Sequence, residues 1–328
     1  MKSFSLGKYA LSGGVAVALL AGCGGSQPPI GATGTMPQTS PLATNSERGT
    51  SWMLPEAKSE NLLYVADYGG GVIVYSYRPA QIKYVGYLAT PLYAGGECVD
   101  KLQNVFITSS NYEIYEYAHG AASPKAVLTD PFALPLNCAV DPTSGNLAAV
   151  GDAVHKESAG VAIFEHARGK PKLYADSGFS AWACGYDDRG NLYIDGGGRF
   201  GYIDFAELPK GGNTFSEIQL DQTFNAPGGV QWDGTNVAVG DLFNAVIYEF
   251  SIGGSTATEV GSTPLSGAGE VSQFFIDGGR GKVIAPSEFE NYTGYVKIYD
   301  YPAGGSARRT LNLYSPDGVV VSRARGSV

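Results

Sequence analysis

The chain has 328 residues, a formal net charge of −9 and 44% hydrophobic residues, enough to build a sizeable core. Only 16% of residues are charged, against 46 glycines and 21 tyrosines, a balance that suits short strands and tight turns and excludes a mainly helical protein. The acidic surplus excludes nucleic acid, whose phosphates need a basic surface, and excludes anionic lipid as a ligand of the folded surface.

Lys2 and Lys8 flank the start of an apolar run, Ala10 to Leu20, that is too short to span a membrane and ends in Leu20-Ala21-Gly22-Cys23. That ending resembles a bacterial lipobox. The resemblance implies a lipoprotein signal peptide over residues 1–22 and a lipidated, palmitate-bearing Cys23. It implies a protein anchored by lipid in the bacterial cell envelope, and Gly24 in place of Asp implies the outer membrane. Residues 23–55 are rich in Gly, Ser, Thr, Pro and Gln and read as a flexible tether with a reach of roughly 30 Å.

Residues 56–328 are expected to form one domain built from a repeat of about 45 residues. One marker is a strand of the type Ile114-Tyr115-Glu116-Tyr117. Its sister copies include Ile163-Phe164-Glu165-His166, Ile247-Tyr248-Glu249-Phe250 and Ile298-Tyr299-Asp300-Tyr301, and the acidic residue is expected to alternate outward. A second marker, such as Asn104-Val105-Phe106-Ile107 or Asn191-Leu192-Tyr193-Ile194, precedes each of these. A third lies further upstream and ends in Asp: Asp100, Asp141, Asp187, Asp233 and Asp277, where the carboxylate can bond its own turn. A polar fourth strand follows, as at Lys125 to Leu128 or Thr214 to Leu220.

Four antiparallel strands per repeat predict an all-β, six-bladed β-propeller. Six copies of the second and third strands stand against five first strands, so the first strand of the N-terminal blade is expected from the C-terminus, at Pro316 to Ser322, closing the ring. The stretch Asp187 to Asp195, echoed at Asp141 to Val150, resembles NHL repeats and the senescence-marker/gluconolactonase superfamily of six-bladed propellers. Glu116 to Gly120 and Pro227 to Gly234 also resemble bacterial lipoproteins, a likeness that implies no activity.

Cys98, Cys138 and Cys184 fall in three consecutive first strands. They fit small buried side chains, a disulfide or, with no His nearby, a poor metal site. Relative to the following Asp, Cys98 is one position out of step, which favours Cys138–Cys184 as the pair. His119, His155 and His166 lie outside any cleft expected of a hydrolytic triad.

The mouth of the central channel is the expected place for function, and the sequence puts Glu97, Asn137, Trp182, Gln273 and Asp317 there. The superfamily resemblance implies a divalent cation at this place, such as Ca²⁺, with Glu97, Asn137 and Asp317 as oxygen ligands, able to polarise a lactone carbonyl. The family motifs are not reproduced blade by blade, so no catalytic residue and no resident cofactor is assigned. Loop rings, among them Tyr68, Tyr112, Phe243 and Tyr292, suit stacking on a sugar or a protein partner. The leading expectation is a monomeric binding or scaffold module for a protein or glycan; the alternative is a metal-dependent, lactonase-like hydrolase.

Overall fold

A computed structural model describes residues 50–78, 81–90, 92–153, 160–175, 179–197, 203–288 and 294–325. The expected signal peptide, Cys23, most of the tether, His155 and Tyr292 lie outside the described residues. Among the described residues no helix is long and apolar enough to cross a membrane.

The strands follow in chain order. A first group is β1 (Trp52–Met53), β2 (Leu62–Asp67), β3 (Val72–Arg78) and β4 (Gln81–Leu88). Then come β5 (Ala94–Val99), β6 (Val105–Ser109), β7 (Glu113–Tyr117) and β8 (Ala126–Thr129), followed by β9 (Ala133–Val140), β10 (Leu147–Ala153), β11 (Val161–Phe164) and β12 (Lys172–Tyr174). The next are β13 (Ser180–Tyr186), β14 (Leu192–Gly197), β15 (Ile203–Leu208), β16 (Ser216–Glu217) and β17 (Gln219–Leu220). The rest are β18 (Pro227–Trp232), β19 (Val237–Asp241), β20 (Val246–Gly253), β21 (Thr256–Ser266), β22 (Phe275–Asp277), β23 (Lys282–Glu288), β24 (Gly294–Asp300), β25 (Gly304–Leu313) and β26 (Pro316–Ser322). Sheet pairing already begins at Trp52, within the segment 23–55 expected as tether.

These strands form five hydrogen-bonded sheets. Three are antiparallel groups of four consecutive strands, β5–β8, β9–β12 and β13–β16. A five-stranded sheet has the order β1-β4-β3-β2-β26. The largest has nine strands, where two separate four-stranded sheets were expected. It contains the antiparallel runs β18 to β21 and β22 to β25, joined by a short parallel pairing of Leu265 with Gly305 and Ser266 with Ser306. The physical reason is length: β21 and β25 have 11 and 10 residues and overrun their own partners. The polar stretch at 214–220 also divides, since β16 pairs with β15 and β17 crosses over to pair with β21.

The C-terminal strand lies where the strand count put it. β26 pairs antiparallel with β2, from Leu62 opposite Ser322 to Asp67 opposite Pro316. His119 braces the same seam, with Nδ1 2.7 Å from Ser322 Oγ and Nε2 3.0 Å from the Glu60 carbonyl. The first strands β26, β5, β9, β13 and β18 pack each against the next, and β22 touches β26. Gln231 ties β18 to β22: its Oε1 accepts from Ile276 N at 2.8 Å. Apolar clusters fill the gaps between successive sheets, as where Tyr75, Val319 and Val321 meet Ile284, Val296 and Leu313. Tyr64, Tyr77, Tyr117 and Tyr299 are fully buried, so these repeated rings are packing residues.

The turn aspartates bond their own turns at four of five places. Asp100, Asp141, Asp187 and Asp233 accept from amides two to four residues on. Asp277 instead takes Arg323 at 2.6 Å. The acids of the third strands do not all turn outward. Glu116 and Glu249 are buried, the first holding Lys125 Nζ at 2.6 Å and the second accepting from Thr263 Oγ1 at 3.2 Å, because the following strand or turn folds over them. Strand β11 stops at Phe164, and His166 takes φ 50°, with its N–H donated to Asn146 Oδ1.

The disulfide joins Cys98 to Cys138, and Cys184 is a buried free thiol, so Cys138–Cys184 is not the pair. The offset that argued against Cys98 is what allows it to bond. Equivalent positions on neighbouring first strands point the same way round, so one partner must be displaced by a residue to face the other. Cys138 points back to Phe106 and Ile114 of the preceding sheet, and Cys184 points back to Ala139 and Ala148. Cys98 faces forward. The strands come close enough, 5.7 Å between Cα atoms, because Gly96 lies against β9: a Cβ there would stand 2.7 Å from Leu136 O.

Candidate functional site

All five expected residues lie on or just before first strands around the common centre. Glu97 is on β5, Asn137 on β9, Trp182 on β13 and Asp317 on β26, and Gln273 lies two residues before the start of β22. They do not form one ligand set. The Gln273 amide is committed to backbone: Oε1 accepts from Glu97 N at 3.2 Å and Val319 N at 3.0 Å, and Nε2 donates to Glu97 O at 2.9 Å. Gln273 therefore staples β5 and β26 across the centre. Asn137 and Gln273 line two cavities in common. One, of about 160 Å³, opens where the first strands begin and includes Trp182, Ser272 and Asp317. The other, of about 260 Å³, opens where they end and includes Glu97, Tyr186, Trp232 and Phe275.

Glu97 is only 2% exposed, and neither carboxyl oxygen has a hydrogen-bond partner. Burial, and then the nearby Asp317 carboxyl, push its pKa well above the usual carboxylate range. Asp317 is raised too, by burial first, while Ser272 Oγ at 2.8 Å from Oδ1 opposes the shift. Among the described residues no three His, Cys, Asp or Glu side chains stand together as a metal-ligating group. Of the implied donors, Glu97 and Asn137 line one cavity and Asn137 and Asp317 the other, so the three do not share one cavity, and no catalytic step is derived through a cation.

A folded-state pKa raised above the unfolded value stabilises the fold below the unfolded pKa and loses that stability as pH rises through the folded one. Replacing Glu97 with Gln is therefore expected to leave stability nearly unchanged at pH 4 and to raise it by about 1–3 kcal/mol at pH 8, where an unpartnered buried carboxyl is most unfavourable. Thermal melts of both proteins across that range test this; a variant less stable than the parent at pH 8 would refute it.

Within each sheet the first strand begins, the second ends and the third begins at one edge, here called the upstream face. Its loops are cross-braced. Tyr68 N donates to Ser315 O, Ser110 N to Tyr93 O, Asp130 N to Tyr112 O and Val271 N to Leu242 O. Buried or nearly buried side chains add to this: Asp67 Oδ1 accepts from Gly69 N at 2.8 Å and Asp241 Oδ2 from Asn225 N at 2.8 Å. Asp195 is fully buried with a raised pKa caused by that burial, and it accepts from Ala183 N at 3.0 Å. That bond fixes the irregularity between Ala181 and Ala183, which turns Trp182 outward.

Six rings stand on this rigid frame: Tyr68, Tyr93, Tyr112, Trp182, Phe243 and Tyr314, each between 39% and 53% exposed. Tyr68 and Tyr93 stack, with ring centroids 4.2 Å apart. The exposed apolar residues elsewhere, Leu102, Val127 and Val260, are aliphatic. Tyr93 and Tyr314 were not singled out from sequence; their position one or two residues before a first strand is the signal that would have found them. Both faces carry charge, and the downstream loops hold Asp100, Asp141, Asp187, Asp188 and Asp233 among their cations. The described upstream loops and strand ends carry Glu113, Asp152, Glu270, Glu288 and Asp317 and no Lys or Arg in the loops. The opposite, downstream loops carry Lys101, Arg168, Lys170, Arg189, Lys210 and Arg325.

No protein-family model matches the chain, and no curated protein matches it. Among 1394 matching chains of solved structures is one in a crystal structure of a nidogen/laminin complex, with a TM-score of 0.66 and 13% identity, covering 80% of this chain and 99% of that one. At that identity the likeness shows the fold. The protein is an all-β protein with a β-propeller fold.

Proposed function

We propose that the chain is a six-bladed propeller, tethered to the bacterial envelope through lipid on Cys23, that serves as a docking scaffold for a protein partner. In this reading the two four-stranded runs of the nine-stranded sheet are separate blades that touch at their outer strands, and the sheet order around the centre resembles NHL and gluconolactonase-like propellers. The observation that carries the function is the upstream face: exposed rings held on loops that are bonded to one another. Rigid aromatic anchors are what protein interfaces use at their energetic centres. The similar fold in the nidogen/laminin structure is likewise seen in a complex of proteins.

The test is site-specific photo-crosslinking in cells. A crosslinker in place of Trp182 should give a discrete protein adduct, and one at Lys170 on the downstream face should not. Adducts from Lys170 alone, or none at all, would overturn the reading.

The lactonase-like reading draws on one observation, the unpartnered Glu97 beside Asp317. Full-length protein dialysed against Ca²⁺ is expected to retain less than one ion per chain. A stoichiometric ion that Glu97→Gln or Asp317→Asn removes, together with lactone hydrolysis, would install that reading in place of the scaffold.

A further inference from the structure

We infer that the cavity of about 260 Å³ at the downstream end of the first strands is a binding site for a neutral small molecule with an apolar body and an amide N–H beside its carbonyl, a lactam or imide edge, and that Glu97 holds that edge. The inference does not rest on the scaffold reading, which concerns the opposite face. Three observations converge. First, Glu97 lines this cavity, is 2% exposed, and has no hydrogen-bond partner on either carboxyl oxygen among the described residues. A buried polar group of this kind is unfavourable until something bonds it. Secondly, neighbouring polar side chains of the cavity are already committed. The Gln273 amide bonds the backbone of Glu97 and Val319, Gln231 Oε1 accepts from Ile276 N at 2.8 Å, and Asp187 Oδ1 accepts from Arg189 N and Asn191 N of its own turn. Thirdly, much of the remaining wall is apolar: Val230, Trp232, Phe274, Phe275 and the Cys98–Cys138 disulfide. Sites for small molecules combine such walls with a few polar groups that fix orientation.

The carboxyl also selects the ligand's chemistry. Burial favours its protonated form, which presents one O–H donor and one carbonyl acceptor side by side. A lactam edge is the complement: its N–H donates to the carbonyl oxygen and its own carbonyl accepts from the O–H. Water alone fits less well. The space is several times the ~30 Å³ that one water occupies in the liquid, and Val230, Phe274 and Phe275 offer water no partner. An ammonium fits less well too. It would have to shed its own water, bring three donors to a place with few acceptors left, and ionise the carboxyl where burial opposes that. The rings of Trp232 and Phe275 suit a flat body behind the polar edge.

The probe is quinolinone, a flat bicyclic lactam, titrated calorimetrically into the full chain. N-methylquinolinone, which lacks the N–H, and naphthylmethylamine, an ammonium of similar size, are the comparisons. The lactam should bind saturably at one site. The N-methyl compound should bind about tenfold or more weakly, as happens when a site that bonds an N–H meets an analogue without it. Glu97→Gln should keep the lactam within about threefold, because its amide presents a like pair of donor and acceptor, whereas Glu97→Leu should weaken it about tenfold or more. Trp232→Ala should weaken it severalfold by removing a wall, while Val260→Ala, on the exposed side of β21, leaves it unchanged. Thermal melts establish that each variant is folded; should Glu97→Leu not fold, the N-methyl comparison carries the test. Absence of saturable lactam binding, tighter binding of the ammonium, equal binding of the N-methyl compound, or indifference to a folded Glu97→Leu would overturn the proposal.

Discussion

A chain lacking residues 313–328 is expected to lose its single cooperative unfolding transition and to aggregate at concentrations where the full chain does not. The removed strand β26 is the pairing partner of β2, whose residues Leu62 to Ala66 are entirely buried. Val319, Val320 and Val321 are 1–2% exposed, and burying a valine of this kind contributes about 1.5–3 kcal/mol. Three such side chains approach the whole stability of an ordinary domain, about 5–15 kcal/mol. The loss also bares the edge of β2, an apolar template for pairing with another chain. Differential scanning calorimetry with light scattering makes the measurement. A truncated protein with one unchanged melting transition would show that β26 does not close the structure.

The second large effect concerns the cysteines. Converting Cys98 and Cys138 together to Ala should destabilise the protein by about 2–4 kcal/mol, because the bond closes a loop with a sequence separation of 40. Cys184→Ala should behave differently. It loses one small buried thiol, costs on the order of 1 kcal/mol, and leaves the response to reductant intact. Denaturant titrations with and without reductant separate the cases. Equal sensitivity of the Cys184→Ala and the double variant would contradict the pairing. An unmodified protein should show one free thiol once unfolded without reductant, among the described residues.

The repeat was legible because the chemistry that marks it is local. Asp100, Asp141, Asp187 and Asp233 bond amides of their own turns, so each leaves the same trace in the sequence wherever its sheet sits. The closing strand was legible by counting, since one first strand was absent from its place and present at Pro316 to Ser322. The cysteine pairing was not, because the question was which way round the axis each thiol points. Alternation along one strand gives parity, but it does not say that rotationally related strands need opposite parity to meet.

The fusion of β21 with β25 depends on strands of 11 and 10 residues meeting in space, which the pattern of polar residues at their ends does not encode. At the centre the sequence named residues that line the cavities but not the bonds they make. Gln273 was read as a candidate ligand and is a backbone staple. Glu97 was read as one donor among several and is isolated. Trp182 held its expected place at the mouth because a local irregularity, fixed by Asp195, turns it outward.

The pairing of β2 with β26 also sets the order of events during synthesis. A sheet that contains β2 can be finished only after β26 exists, so β2 waits through the synthesis of all the intervening strands with one edge open. Such long-range pairing slows folding, since the chain must close its largest loop before that sheet gains its final neighbour. The interval is one in which a chaperone has a defined client surface, the free edge of β2, and the arrival of the seven residues of β26 ends it.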